Sequence, residues 1–141
     1  MAEVAQFYSL DLLHVHYAIP HSVSALLAHD MLAARGIRLP FITTLHGTDI
    51  TLVGQDPGYL PITRFGIEQS DGVTSISAHL KDETERSFGI TREIEVIRNF
   101  VNCDVYKPDE AKRRELRPKY ARDDEKILIH LSNFRLSLIH I

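Results

Sequence analysis

The stretch Phe41-Ile-Thr-Thr-Leu-His-Gly-Thr-Asp49 (FITTLHGTD) decides how the rest of the chain is read. Phe41 to Leu45 is apolar and rich in β-branched residues, so it reads as a buried strand. The residues that follow, 46–59 (HGTDITLVGQDPGY), carry three glycines and a proline and read as a long loop. Upstream, Leu12 to His16 (LLHVH) is another short strand, and between the two lies an amphipathic segment from Ser22 to Arg35. That segment sets Val23, Leu26, Leu27, Ala28 and Met31 at helical spacing and stops at Gly36, a residue suited to the left-handed end of a helix. Downstream come a helix from Leu60 to Ser70, a strand from Val73 to Ile76, and a helix from Ser77 to Phe88 with Ser77 as cap and Gly89 as stop. Ile94 to Ile97 is the next strand. A charged helix from about Asp109 to Tyr120 and a strand from Lys126 to Leu131 (KILIHL) follow. Strands alternating with helices predict an α/β fold, a Rossmann-like parallel sheet with helices on both faces, because parallel strands need long right-handed crossovers.

Composition narrows the function classes. A chain of 141 residues has the length of one domain, and its 44% hydrophobic and 25% charged residues allow a packed core. Sixteen basic against 19 acidic residues give a net charge of -3, so there is no global basic field to hold a nucleic-acid backbone. The mixed-sign run DEAKRRELRPKYARDDEK reads as a solvated face. Cys103 is the sole cysteine, which excludes an intramolecular disulfide and is compatible with a reducing cytoplasm. No run approaches a membrane span, and the N-terminus lacks the plan of a signal peptide.

In parallel sheets ligands sit beyond the carboxyl ends of the strands. The residues after Leu13, Leu45, Ile97 and Leu131 are therefore the candidates. His14 and His16 stand two apart and point to one face of a strand, a pattern that suits zinc if His46 or Asp49 completes the set; hydrogen bonds to neighbouring loops are the plainer role. In His46-Gly47-Thr48-Asp49 the glycine lets a substrate approach the backbone, whereas a turn held by the Asp49 side chain is the structural alternative. Arg64 has two readings, an ion pair with Glu68 at helical spacing or a bidentate grip on a substrate carboxylate. Arg135 is either a phosphate partner or a solvated strand-end residue.

Five segments carry a resemblance: LHVHYAIPH (13–21), TTLHGTDIT (43–51), RFGIEQSDGVTSIS (64–77), RNF (98–100) and IHLSNFR (129–135). Together they resemble the bacterial N-acetylglucosaminyl malate synthases, which open bacillithiol synthesis and belong to the retaining GT-B glycosyltransferases with two Rossmann-like domains facing a cleft. The resemblance implies transfer of N-acetylglucosamine from UDP-N-acetylglucosamine to the hydroxyl of L-malate, with retention, in the cytoplasm, without a metal or other cofactor, and compatibly with a homodimer of a full-length parent. It implies an acceptor site of Tyr17, Thr44, Arg64 and Asn99. His46 would face the donor sugar at the reacting centre, and Arg135 the diphosphate. These positions are expected to gather at a single rim. An acceptor other than malate, or a metallohydrolase centre built on His14, His16, His46 and Asp49, are the competing expectations.

The family pattern begins with a strand and glycine-rich loop upstream of LHVHYAIPH and continues past SNFR into a complete nucleotide-sugar domain. The chain is thus expected to be an internal piece. Residues 1–107 are read as a partial N-terminal acceptor-side domain, 108–125 as linker and charged helix, 126–135 as the first strand of a C-terminal domain, and 136–141 (LSLIHI) as a tail foreign to the family. On this reading the chain alone does not turn over, and residues after about Lys107 pack poorly.

Overall fold

A computed structural model describes residues 1–131. Within Met1–Phe100, one of two compact units, four short strands form a single parallel sheet in sequential order: β1 (Leu13–His16), β2 (Phe41–Leu45), β3 (Gly72–Ser75) and β4 (Ile94–Val96). Leu13 pairs with Phe41, Thr44 with Thr74, and Thr74 with Glu95, so the period-2 alternation of each strand is in phase with its neighbours. The helices α2 (Val23–Ala33), α3 (Leu60–Gln69) and α4 (Ala78–Phe88) are the crossovers.

The alternation divides the sheet into two unlike faces. Val15, Phe41, Leu45, Val73 and Ile94 point one way and are buried with Ala25 of α2, Ile67 of α3, and Leu80 and Phe88 of α4. His14, His16, Ile42, Thr44, Thr74 and Glu95 point the other way, and His14, His16 and Glu95 are exposed. Among the described residues the helices therefore pack on one face only, where both faces were expected. Right-handed crossovers that always step to the next strand in the same direction leave every helix on the same side.

Local chemistry explains the element ends. Ser77 Oγ accepts from Leu80 N (3.1 Å) and caps α4, and Gly89 closes it at φ 59°. Residues 34–36 turn off α2, with Gly36 at φ 75°. The buried face of α2 only partly matches the one predicted: Ala28 is inside as expected, with Ala25 and Leu32, and Val23 and Leu26 are half-buried, while Leu27 and Met31 are more than half exposed. This helix is apolar nearly all round, so hydrophobic spacing does not single out a face, and the small alanines allow the closest approach to the sheet. The helix α1 (Ala2–Phe7), which the sequence reading did not include, buries Ala2 and Ala5 against Ala28, Leu32 and Leu39. The expected loop after β2 contains a π-helical turn over Asp49–Val53, and the segment Ala18–Ser22 after β1 is kinked at Ile19, whose backbone is extended (φ -125°, ψ 132°).

From Val101 the chain belongs to a separate compact unit. None of residues 101–131 is buried. The helix α5 (Glu110–Leu116) starts at Asp109, whose carboxylate accepts from Ala111 N and Lys112 N, both at 3.0 Å. A 3-10 turn, Arg117–Lys119, ends it at Pro118, earlier than the expected Tyr120, because proline lacks the N–H that continues an α-helix. Lys126–Leu131, expected as a strand, adopts no strand, and Leu128 and Leu131 are almost fully exposed. An isolated extended segment gains a ladder only when another strand lies beside it.

Candidate active site on the helix-free face

The carboxyl ends of β1, β2 and β3 and the residues after β4 enclose a pocket of about 370 Å³, lined by His14, His16, Ile42, Thr44, His46, Thr74 and residues 97–100. Its floor is a hydrogen-bonded row across three strands. Thr44 Oγ1 lies 2.7 Å from His14 Nε2 and 2.7 Å from Thr74 Oγ1. The row exists because all three positions sit on the same phase of the pleat and the register brings them side by side.

The wall is a cluster of rings. His16 Nδ1 and His46 Nε2 are 2.7 Å apart and share one hydrogen bond. The ring centroids of His14 and His16 are 4.6 Å apart, and Tyr17 packs on His46 at 5.0 Å. Tyr17 reaches His46 because its backbone turns sharply at φ 75° and ψ 128°, a left-handed conformation that costs a side-chain-bearing residue energy. His21 Nδ1 is 2.7 Å from the His16 carbonyl, which braces the turn from behind.

Asp49 holds the two loops together. Its carboxylate is buried and accepts from Ala18 N (2.7 Å), Gly47 N (2.9 Å) and, at longer range, His46 N (3.3 Å). The turn role foreseen for Asp49 is thus present, extended to the neighbouring strand end. Burial, chiefly, and then the nearby His16 hold the His46 pKa below the ordinary 6.5, with Asp49 opposing and His14 adding to the fall. At neutral pH His46 is consequently an uncharged imidazole that offers one donor and one acceptor.

Among the described residues no group of three or more His, Cys, Asp and Glu side chains is placed to hold a metal ion. The zinc set considered for His14, His16, His46 and Asp49 is not assembled, since the two imidazoles point at each other and Asp49 is committed to backbone N–H groups.

Thr44, His46 and Asn99 line this one pocket, and Tyr17 touches it through His46. Arg64 does not join them, which corrects the expectation of a single rim for all five. It lies on the outer side of α3 in a groove with Leu60, Pro61, Phe65 and Glu68, and its Nη2 donates to the Gly89 carbonyl (3.3 Å). The alternative Arg64–Glu68 ion pair is also not formed, because Glu68 accepts from Thr91 N (2.8 Å) instead. A long, exposed side chain follows whichever acceptor its rotamer meets, and here that is the Gly89 carbonyl at the end of α4. Arg135 lies outside the described residues. Thr74 and Arg98 are pocket residues that the sequence reading passed over. Thr74 carried no signal without the strand register, whereas Arg98 stood beside Asn99 in RNF.

The profile of Glycosyltransferase Family 4 matches residues 1–105. The N-acetyl-alpha-D-glucosaminyl L-malate synthase of Bacillus anthracis is 50% identical over 137 residues, which cover 96% of this chain and 34% of the relative. The chain thus spans about a third of the length of the curated relative it matches. No helix of the described residues is long and apolar enough to cross a membrane. A parallel sheet with polar residues gathered at its carboxyl ends, a match over most of its length and half-identity to a named synthase assign this chain to glycosyltransferase family 4.

Proposed function

We propose that the chain is the acceptor-side part of an enzyme that transfers N-acetylglucosamine from UDP-N-acetylglucosamine to the hydroxyl of L-malate, with retention, in cytoplasmic bacillithiol synthesis. The observation that carries the reading is the 50% identity to the malate synthase. Residues 1–107 serve the acceptor, 108–125 link, and 126–135 enter a donor domain supplied by a longer chain. In the reaction the malate hydroxyl oxygen bonds to the anomeric carbon, the bond to UDP breaks, and the hydroxyl proton leaves with the diphosphate or to water.

The pocket chemistry supports that division of roles. Tyr17, Thr44 and Asn99 offer neutral hydrogen-bonding groups to the acceptor, and its volume suits one small molecule. His46, neutral at pH 7, orients a sugar hydroxyl, since positioning at the reacting centre accounts for much of an enzyme's rate. Arg64 contributes to the acceptor only if its side chain leaves Gly89. Arg135 stabilises charge on the departing diphosphate. An anionic acceptor is favoured over a neutral sugar because, among the described residues, the pocket lining holds an arginine and no carboxylate.

The test is a chimera in which this chain replaces the matching 137 residues of the Bacillus anthracis synthase. Malate-dependent release of UDP, with NMR of the product showing an unchanged anomeric configuration, is the expected outcome. A folded chimera that binds UDP-N-acetylglucosamine but ignores malate would overturn the acceptor assignment.

A further inference from the structure

Among the described residues the pocket is lined by one arginine, Arg98. Arg98 follows β4 by two residues, at the carboxyl end of the sheet, where ligands of parallel sheets bind. Ile97 N donates to the Ser75 carbonyl (2.9 Å), which extends the ladder by one residue and delivers Arg98 and Asn99 to the pocket rim. Most arginines among the described residues are engaged. Arg35 meets Glu3 and Gln6, Arg92 meets the Glu68 and Asp71 carbonyls, and Arg122 meets Glu125. Arg98 makes neither an ion pair nor a side-chain hydrogen bond within residues 1–131.

We infer that Arg98 is the charge anchor of the pocket, receiving one carboxylate of a small dicarboxylate whose other end meets the neutral donors at Thr44, Asn99 and the histidine cluster. The inference deepens the acceptor reading and rests on it. Three observations favour an anion and this residue. Among the described residues no acidic side chain lines the pocket; Glu95 shares the sheet face opposite Thr74 but is not part of the lining, and Asp49 is buried against backbone N–H groups. Arg64, which was expected to meet the acceptor carboxylate, is turned to Gly89. Ile42 and the exposed Ile97 and Phe100 bound the same cavity, and a guanidinium fork there can grip a carboxylate with two parallel N–H groups.

The experiment is NMR titration of the 141-residue chain with L-malate, succinate and L-lactate, following arginine Nε–Hε and histidine ring signals in the unaltered chain, Arg98→Gln and Arg98→Lys. L-Malate should shift the signals of Arg98 and His46 in the unaltered chain. Arg98→Gln should weaken L-malate and succinate about tenfold, an exposed but charge-assisted contact being lost, and should weaken the monocarboxylate L-lactate as well, since its one carboxylate meets the same guanidinium. Arg98→Lys should recover part of the loss, since the charge returns without the fork. Histidine ring signals of the free variants that match the unaltered chain verify that the fold survives. Equal L-malate affinity in Arg98→Gln, or L-malate shifts at His14 and His46 without any at Arg98, would overturn this inference and leave the acceptor reading standing. Absence of any L-malate shift in the pocket would overturn both.

Discussion

Replacing Asp49 by Ala removes the group that ties the end of β1 to the end of β2. The carboxylate accepts two short hydrogen bonds, from Ala18 N at 2.7 Å and Gly47 N at 2.9 Å, and a longer one from His46 N. A hydrogen bond to a charged group contributes about 1.5–3 kcal/mol, and donors left without a partner in a buried site forfeit most of that, so Asp49→Ala should cost roughly 3–5 kcal/mol. Such a loss is a large part of the ~5–15 kcal/mol that holds a typical domain folded. Asp49→Asn keeps one acceptor oxygen but turns an NH₂ toward a backbone donor, and should cost about half as much. Urea unfolding followed by circular dichroism measures both. Amide hydrogen exchange at Ala18 and Gly47 should accelerate in each variant, ahead of amides in β2 and β3. A loss under about 1 kcal/mol in Asp49→Ala, with those two amides exchanging as before, would refute the clamp.

Three further outcomes follow from the same geometry. Tyr17 holds φ 75°, so Tyr17→Gly should be more stable than Tyr17→Ala by about 1 kcal/mol although both lose the ring on His46; equal stabilities in urea would show that the backbone there is unstrained. His46 has a depressed pKa in the folded chain, so the unfolded chain takes up its proton first as pH falls. The His46 contribution is complete above about pH 6.5 and is lost as pH drops toward the folded value; His46→Gln should flatten that slope in urea midpoints between about pH 7.5 and 5.5, and an unaltered slope would contradict it. A Cβ on Gly66 would collide with the Ser22 side chain, so Gly66→Ala should destabilise by about 1–3 kcal/mol, and adding Ser22→Ala should return part of it; strict additivity of the two changes would argue against the contact.

The alternation of strands and helices was legible because each element end carries a local cause. Ser77 caps its helix through its own side chain, Gly36 and Gly89 take the left-handed conformation where helices were expected to stop, and the β-branched Phe41–Leu45 run is a strand. The failures share a different cause. Leu27 and Met31 are apolar at helical spacing yet exposed, and KILIHL has strand chemistry without forming a strand, because burial and pairing are decided by neighbours far along the chain. At the candidate site, HGTD and the His-x-His pair marked two strand ends. That His16 and His46 share a hydrogen bond, or that Thr44 stands between His14 and Thr74, depends on contacts between residues 30 positions apart.

From its residues alone this chain declares an α/β sheet, the loops that follow its strands, and kinship to a family of sugar transferases, since strand chemistry, helix caps and short motifs are local properties. Tertiary structure alone decided that, among the described residues, the helices pack on one sheet face, that Thr74 and Arg98 belong to the pocket, and that Arg64 faces elsewhere. Strand register and the rotamers of long cationic side chains are set by what packs against them, and no short stretch of sequence contains that information.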